Sequence, residues 1–424
     1  MSKLLAFTVG NYRSFLQNRT FTFSVPQSAP QPGADAGSVA AAVSEFNTVS
    51  AVYGANSGGK SNMVKAMVTM RRIILDSVRI NEGEALPYDP FELLDRAQPG
   101  PQIFELSYLE DDGRTVRYGF KNTREAIEAE WLFVSATPGE PEQPLFLRDS
   151  EGTGISDKLF PEGDGLESKV NTNRLFLSLC GQLGGHISNS VISFFIHTLK
   201  IISGVSTFGY SSFTRQEFLE HTPVASKALE FMRRVQLGFE DVFVREIPRA
   251  TDDEEDEGSR SEKRRQPLFN RTYSVHKIYD PDGNEAGKRA FLFDRFESDG
   301  TQKIFSISGP FFDVLTRGAV LVVDEMDAKL HPLLSQALVR LFTSEETNPH
   351  GAQLLFTTHD TRLLADDLLT PSQIWFAEKD ALEATDLYRL SDITMPDGSE
   401  LPRHQNVEQN YINGRYGAIP YFKY

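Results

Sequence analysis

Cysteine is almost absent from this 424-residue chain, which contains only Cys180. A single thiol cannot build a disulfide framework or a cluster of thiolate metal ligands, so a reducing compartment fits best. Long apolar runs are missing too, because no stretch approaches the ~18 residues of a membrane span. The longest candidate, residues 191–205, includes His197 and Lys200. The first residues also lack the apolar segment of a signal peptide. We therefore expect a soluble, cytoplasmic protein with no membrane partner.

Positive charge is also in short supply. The chain has 43 Lys and Arg against 59 Asp and Glu, which gives a net charge of −16. This balance argues against a protein that covers nucleic acid with its whole surface, although a local basic patch is compatible with it. Hydrophobic residues make up 40% of the chain, which is enough for a real core. The length predicts two or three domains, or one domain with insertions.

A glycine-rich stretch near the start carries the most specific pattern in the sequence. Residues 54–62 read G-A-N-S-G-G-K-S-N, which matches the phosphate-loop pattern G-x-x-x-x-G-K-[ST]. The apolar run 49–53 predicts a strand before the loop, and apolar residues at helical spacing predict a helix after it. A chance match is the alternative, but the strand-to-helix context speaks against it.

The phosphate loop has a chemical logic that predicts ATP binding. Glycines allow its backbone N–H groups to turn toward a phosphate, and the helix N-terminus adds partial positive charge. Lys60 would reach the β- and γ-phosphates, and the Ser61 hydroxyl would be a ligand of Mg²⁺. The predicted nucleotide-binding residues of the loop are Asn56, Ser57, Gly58, Gly59, Lys60, Ser61 and Asn62.

Two apolar runs in the second half of the chain, 319–323 and 353–357, read as strands buried on both faces, as in a parallel sheet. Asp324 and Glu325 follow the first run directly, and His359 lies just after the second. Because ligands bind at the carboxyl ends of parallel strands, we expect these side chains to lie beside the phosphate loop.

Such a group of side chains would suit a hydrolase of Mg-nucleotides. We predict that Asp324 holds Mg²⁺, directly or through water, and that Glu325 orients or deprotonates the attacking water. His359 would contact the γ-phosphate, and Lys60 would neutralise its charge. Taken singly, the acidic pair is often a helix cap and the histidine is often structural. Their order along the chain favours the functional interpretation.

The rest of the chain suggests a divided domain. Residues 103–109, 115–120, 130–135 and 145–148 predict an antiparallel β region, residues 170–236 are mostly helical, and runs 272–279 and 290–296 predict two further strands. We expect a nucleotide-binding domain split between residues 1–165 and 267–424, a helical insertion at 166–250, and an acidic and basic linker at 251–266. The linker is either a solvated loop or a docking patch. The aromatic tail, 411–424, either packs over a sheet edge or binds a partner.

Together these residues resemble the ATP-binding-cassette (ABC) ATPases, in particular the group of chromosome-maintenance and RecF-like proteins. Within that group, they are most similar to predicted bacterial ATPases of the AAA15 (RloA/AbiLi) type. The motifs that carry the resemblance are N-Y-R-S-F at 11–15, G-A-N-S-G-G-K-S-N at 54–62, E-S-D-G-T-Q-K at 297–303, L-V-V-D-E-M-D-A-K-L-H-P at 321–332, T-T-H-D at 357–360 and G-R-Y-G-A-I-P at 414–420.

The resemblance implies an α/β fold: an ABC-ATPase head with a mixed sheet, an antiparallel β region and a helical insertion. It implies that Ser298 and Gly300, in the signature motif, contact the nucleotide of a second protomer, and that Arg13 and Ser14 contact the nucleotide in their own chain. For Arg13 the alternative is a surface loop. Residues 328–331 would cross the dimer interface, with a histidine at 331 where many relatives have aspartate. The Mg-sensing glutamine has two candidates, which are Gln98 and Gln102.

The function that the resemblance implies is an ATPase switch. The protein would form a homodimer or a higher homo-oligomer around Mg-ATP and control a separate effector protein, such as a nuclease, in an anti-phage or toxin–antitoxin-like system. A RecF-like DNA-binding repair ATPase is the alternative, which the acidic balance disfavours. A third hypothesis is a scaffold that uses slow hydrolysis to order an oligomer.

Overall fold

The computed structural model of the chain describes residues 2–26, 43–95, 99–203, 208–248, 268–365, 368–394 and 406–420. It forms two compact units. The first comprises Met1–Val205, Val314–Ala328 and Ser335–Tyr424, and the second comprises Ser206–Asp313 and Lys329–Leu334. The predicted linker at 251–266 lies outside the described residues. Among the residues that are described, no helix combines the length and the apolar character that crossing a membrane requires.

The strands are numbered in chain order. They are β1 (Lys3–Gly10), β2 (Arg19–Thr22), β3 (Ser24–Pro26), β4 (Val43–Phe46), β5 (Val49–Tyr53), β6 (Gln102–Leu109), β7 (Thr115–Asn122), β8 (Ile127–Ser135), β9 (Gln143–Asp149), β10 (Gly152–Ile155), β11 (Leu199–Ile202), β12 (Asp241–Pro248), β13 (Leu268–Tyr279), β14 (Glu285–Leu292), β15 (Val320–Val323), β16 (Gln353–Thr357), β17 (Ile374–Lys379) and β18 (Thr385–Arg389).

The α-helices are α1 (Lys60–Asp76), α2 (Phe176–Gln182), α3 (His186–Ser193), α4 (Phe208–Leu219), α5 (Pro223–Arg234), α6 (Phe293–Phe296), α7 (Asp299–Arg317), α8 (Pro332–Thr343) and α9 (Val407–Ile412). Shorter helical turns are 3₁₀ helices, apart from the π-helical turn Phe194–Thr198. They lie at Ser77–Arg79, Pro161–Gly163, Glu167–Lys169, Thr361–Leu364, Pro371–Gln373 and Leu390–Asp392.

A six-stranded mixed sheet in the first unit positions the site. Its order is β11-β15-β16-β5-β17-β18, in which β18 pairs antiparallel and the other neighbours are parallel. Every residue of β5, β15 and β16 is buried, which explains why these strands are mostly apolar. Since these three strands are adjacent and parallel, the residues that follow them meet at one edge of the sheet. This confirms the predicted α/β arrangement.

A seven-stranded antiparallel sheet, in the order β10-β9-β8-β7-β6-β1-β2, forms the other layer of this unit. One face of it packs with α1 in a shared apolar core. The Glu130 carboxylate is buried at that face and accepts hydrogen bonds from the amides of Phe176 (2.6 Å) and Leu177 (2.9 Å) and from the Tyr118 hydroxyl (3.0 Å). Glu130 therefore anchors the start of α2, which explains how the core tolerates this carboxyl group.

The second unit contains the three-stranded sheet β12-β13-β14 and helices α4, α5 and α6. Within it, the Thr214 hydroxyl of α4 donates to the Ser306 carbonyl (2.7 Å) and accepts from the Gly309 amide (3.2 Å) of α7. A Cβ on Gly309 would lie 2.4 Å from the Thr214 hydroxyl oxygen. The two helices approach this closely because residue 309 has no side chain.

Two sequence predictions of secondary structure were wrong. Within residues 170–236, which the sequence predicts to be mostly helical, Leu199–Ile202 forms a strand that pairs in parallel with Val320–Val323. The predicted strand at 290–296 is divided between the end of β14 and the short helix α6. In both places a short apolar run fits either structure, and tertiary pairing decides between them.

Candidate functional site

The phosphate loop follows β5 and ends at the first turn of α1. Gly54 and Gly59 have positive φ angles of 154° and 108°. A Cβ on Gly54 would lie 2.2 Å from the Ala377 carbonyl oxygen, and one on Gly59 would lie 2.1 Å from the Thr385 hydroxyl. These positions therefore require glycine for two reasons, namely backbone conformation and space. Ala377 of β17 and Thr385 of β18 thus pack directly against the loop.

Lys60 is the first residue of α1 and is only 5% exposed. Its ammonium group donates to the Gly54 carbonyl (2.8 Å) and to the Ala55 carbonyl (3.1 Å), which are both in the loop. Burial lowers the pKa of Lys60 to about 8, although nearby carboxylates, chiefly that of Asp324, oppose the change. The charge on Lys60 is thus sensitive to pH in the mildly alkaline range, and a bound anion would stabilise it.

A hydroxyl and carboxylate cluster joins the ends of β15, β16 and α1. The Ser61 hydroxyl donates to Asp324 Oδ1 (3.0 Å), and the Thr357 hydroxyl donates to the same oxygen (2.6 Å). Thr357 also accepts the Glu325 amide (2.8 Å), so one threonine holds both members of the acidic pair. Because hydroxyl and carboxylate oxygens are the ligands that Mg²⁺ prefers, Ser61 and Asp324 fit this ion.

Glu325 has a φ of 52°, an uncommon conformation for a residue with a side chain. The Met326 amide donates to the Thr357 carbonyl (3.1 Å), which fixes the chain after the turn. Such backbone strain at the end of a buried strand is often found where a side chain serves a function.

His359 follows β16 after one further residue. Its amide lies 3.4 Å from each carboxylate oxygen of Asp327. Burial, together with the charge of Lys60, lowers the pKa of the His359 imidazole. This shift favours the neutral ring, which has one N–H to donate.

The predicted catalytic residues and the phosphate loop line a common cavity of ≈ 300 Å³. Its walls are Asn56, Ser57, Gly58, Gly59, Lys60, Ser61, Asn62, Glu325 and His359. Asp324 lies behind Ser61 and is nearly buried. Three chain segments that are far apart in the sequence thus converge as expected, while the roles of the individual side chains stay predictions.

Ser14 lies beside the loop, but Arg13 has another partner. The Ser14 hydroxyl accepts from the Asn62 amide group (2.8 Å) and from the Thr385 hydroxyl (2.7 Å). Arg13 instead forms an ion pair with Asp89 (2.6 Å), and it is not among the residues that line the cavity.

Ser298 and Gly300 lie in the second unit, at the start of α7. The Ser298 hydroxyl accepts from the Thr301 amide (3.2 Å) and therefore caps the helix. A Cβ on Gly300 would lie 3.0 Å from the Lys329 carbonyl oxygen. All the residues that line the cavity described above belong to the first unit.

Of the two candidates for a Mg-sensing glutamine, Gln102 is described by the structure and Gln98 is not. Gln102 is fully buried, and its amide bonds to Pro87, Asp89 and Asn122. These contacts tie strands and loops of the antiparallel region together, which is a structural role. Gln98 lies outside the described residues.

Three polar residues of the site had no role assigned from the sequence. They are Thr357, Asp327 and Thr385. The Thr357 hydroxyl bonds to Asp324 and to the Glu325 amide, and the Asp327 carboxylate lies beside the His359 amide. The Thr385 hydroxyl donates to Ser14 and lies 3.0 Å from the Gly58 carbonyl. Thr357 and Asp327 fall within motifs read from the sequence. Thr385 has no local signal, since its strand lies more than 300 residues from the loop.

Comparison with protein families decides the affiliation of the chain. Residues 49–365 match the family described as "AAA domain, putative AbiEii toxin, Type IV TA system". The chain belongs to this family. This AAA family match establishes an AAA-type ATPase domain, whereas the narrower likeness to the AAA15 type stays a prediction.

Two further comparisons add little to the AAA family assignment. Among curated proteins none matches the sequence. One solved structure that matches is the "SMC head domain from Thermotoga maritima", with 14% identity over 91% of this chain and 98% of that chain and a TM-score of 0.40. A likeness at that level carries no argument about function.

Proposed function

We propose that this protein binds ATP with Mg²⁺ and hydrolyses it to ADP and phosphate. The observation that supports this most directly is the convergence of the phosphate loop, Asp324, Glu325 and His359 around one cavity at the carboxyl end of one sheet. Phosphoryl transfer depends mainly on positioning and on neutralising charge, and this set of side chains supplies both.

Each side chain has a distinct task in the proposed reaction. The loop amides and Lys60 bind the β- and γ-phosphates, and Ser61 and Asp324 hold Mg²⁺. The bound Mg²⁺ supplies positive charge where negative charge develops on the phosphate oxygens. Glu325 accepts a proton from water as the water oxygen attacks the γ-phosphorus and the bond to the ADP oxygen breaks. The neutral His359 donates a hydrogen bond to the γ-phosphate.

We further propose that ATP joins two copies of the chain. Ser298 and Gly300 lie where a helix begins, and exposed N–H groups and partial positive charge at such a position favour an anion. A phosphate bound to a second copy is their proposed ligand, as the resemblance of residues 297–303 to the ABC signature motif implies. The nucleotide-controlled dimer would act on a separate effector protein, in keeping with the toxin–antitoxin system in the family description.

A substitution of Glu325 by Gln tests the proposed hydrolysis. Glu325→Gln keeps the size of the side chain but cannot accept a proton, so we expect hydrolysis to fall by about 10²–10⁴-fold, while the Kd for Mg-ATP stays within about threefold of the wild-type value. Phosphate release and equilibrium binding of a fluorescent ATP analogue measure the two quantities. The matched control is Glu345→Gln, at an exposed position outside the cavity.

The same variant also tests the dimer, because slow hydrolysis should preserve the ATP-bound state. Light scattering with Mg-ATP should give twice the monomer mass for Glu325→Gln and the monomer mass once Ser298→Arg is added. Wild-type turnover in Glu325→Gln would contradict its catalytic role, and a monomer at saturating ATP would contradict the shared site. Tight, salt-sensitive binding of duplex DNA would favour a repair ATPase instead.

A further inference from the structure

The signature motif begins directly after a short segment of the second unit, which consists of α6 and Glu297. The Glu297 amide donates to the Phe293 carbonyl (3.0 Å), and the Gln302 side chain donates to the Glu297 carbonyl (3.0 Å). Ser298 follows Glu297 directly and caps α7. The direction in which the Ser298 hydroxyl and the first turn of α7 point therefore depends on the place of Glu297.

The Glu297 carboxylate is held by His276 of β13. The imidazole Nε2 lies 2.7 Å from Glu297 Oε1 and 3.2 Å from the Ser274 hydroxyl. Because an ionised carboxylate has no proton to give, Nε2 carries the proton and donates the hydrogen bond to Glu297. The side chains of His276 and Glu297 are 17% and 7% exposed, so water competes little for this contact. Hydrogen bonds to charged groups are shorter and stronger than those between neutral groups.

Three phenylalanine rings pack around the imidazole of His276. Its edge contacts with Phe296, Phe291 and Phe239 have centroid distances of 4.8, 5.7 and 6.4 Å. Phe296, at the end of α6, also stacks on Phe291 of β14, with centroids 4.1 Å apart and 14° between the planes. Such packing restricts the orientation of the imidazole, so its N–H is directed to one place, where the carboxylate lies.

A second polar contact joins α6 to the same face of β13. Thr272 and His276 lie four residues apart on the strand and therefore face the same side. Arg215 of α4 donates to the Thr272 hydroxyl (3.1 Å) and to the Asp294 carboxylate of α6 (3.1 Å). The Asp294 side chain is 53% exposed, whereas that of Glu297 is nearly buried. Of these two contacts, the one made by His276 is therefore the better shielded, and it adjoins the signature motif.

We propose that His276 is a positioning residue for the nucleotide site that two copies share. Through Glu297 it holds Ser298 and the first amides of α7 in the orientation that binds the phosphate of a second copy. The inference rests on the proposed function, since it concerns the nucleotide-controlled dimer. Loss of the His276 contact would weaken the site in the second copy and leave the phosphate loop of its own chain intact, because that loop belongs to the first unit.

Two variants remove the contact from opposite sides. His276→Phe loses the N–H but keeps a ring for the aromatic contacts, and Glu297→Ala loses the acceptor while His276 stays in place. The double variant should be no less active than the weaker of the two, because both changes remove the same hydrogen bond. Asp294→Ala is the matched control, since it breaks the pair with Arg215 in the same segment and keeps the bond between His276 and Glu297.

The assay is phosphate release by the full chain at saturating Mg-ATP, accompanied by thermal melting. The rate should fall by about 10–100-fold in His276→Phe and in Glu297→Ala, as expected when a hydrogen bond to a charged group is lost. In Asp294→Ala it should change by less than about threefold, because an exposed ion pair contributes little. Binding of a fluorescent ATP analogue, at protein concentrations below those of dimer formation, should stay within about twofold of the wild-type Kd in all three variants.

Mixing two inactive variants distinguishes a role in the shared site from a general structural defect. His276→Phe has an intact phosphate loop and Lys60→Ala has an intact signature motif, so a mixed dimer contains one complete site. An equal mixture should regain roughly a quarter of the wild-type rate, since half of the dimers are mixed and one of the two sites in each is complete. A defect confined to the site of its own chain would give no such recovery.

Wild-type turnover in His276→Phe, or no recovery when it is mixed with Lys60→Ala, would overturn the inference if Ser298→Arg is inactive and recovers in the same mixture. If His276→Phe is unfolded at the assay temperature, Glu297→Ala decides by the same criteria. Wild-type turnover in Ser298→Arg, its failure to recover in the mixture, or no hydrolysis by the wild type would overturn the proposed function and this inference together.

Discussion

Replacing Thr357 by Val tests whether the end of β16 organises the acidic pair. The substitution keeps the branched shape but removes the hydroxyl that donates to Asp324 Oδ1 (2.6 Å) and accepts the Glu325 amide (2.8 Å). Asp324 would keep Ser61 as a hydroxyl partner, and the Glu325 amide would lose its acceptor. The Asp324 carboxylate and the Glu325 backbone, on which the proposed reaction depends, would therefore be held less firmly in place.

The magnitude follows from the two hydrogen bonds that are lost. A bond to a charged group contributes about 1.5–3 kcal/mol, and a neutral one about 1 kcal/mol, to the free energy of unfolding. Thr357→Val should therefore be destabilised by about 2.5–4 kcal/mol. If half of that energy also orients Asp324 and Glu325 in the transition state, kcat falls by about 10–30-fold, since 1.4 kcal/mol corresponds to a factor of ten.

Thr358→Val is the matched control, because Thr358 is equally buried and its hydroxyl accepts the Asp360 amide (3.0 Å) without a contact to the acidic pair. Phosphate release is measured over a Mg²⁺ titration. Only Thr357→Val should show a lower kcat and need a higher Mg²⁺ concentration for its half-maximal rate. Similar rates in the two variants, at temperatures where both are folded, would refute a role of Thr357 in holding the acidic pair.

Two further predictions concern buried charges. Because the pKa of Lys60 is lowered to about 8 and a phosphate would favour its ammonium form, ATP affinity should decrease by up to about tenfold per pH unit above pH 8. Binding titrations at pH 7, 8 and 9 check this, and Lys60→Gln should bind weakly with no such slope. Glu130→Ala should lower the free energy of unfolding by about 3–5 kcal/mol in urea denaturation, because the amides of α2 lose their buried acceptor. The exposed Glu128→Ala control should change it by less than about 0.5 kcal/mol, and equal effects of the two would contradict the anchoring role.

The centre of the site was predictable because its signals are local. The phosphate loop is a continuous pattern, and Asp324, Glu325 and His359 each follow a short, fully buried strand that is mostly apolar. The rule that parallel strands place their carboxyl ends together then brings these residues to one edge without further information. The family match over residues 49–365 supports the same ATPase assignment.

The surroundings of the site were not predictable, because they depend on pairings across the whole chain. Ser14 meets Thr385 at a separation of 371 residues, and neither position carries a pattern that points to the other. The ion pair between Arg13 and Asp89 has the same character, as an arginine in a loop has many possible partners. Leu199–Ile202 reads as the end of a helix until β15 is available to pair with it.

The order β11-β15-β16-β5-β17 has a consequence for biosynthesis. The two neighbours of the strand that precedes the phosphate loop, Gln353–Thr357 and Ile374–Lys379, are made some 300 residues after it. Contacts between such distant parts of a chain form slowly, and unpaired strand edges invite aggregation. We expect a nascent chain stopped before residue 353 to hold an unformed nucleotide site and to need chaperones, so that ATP cannot be bound until residues 353–379 have been made.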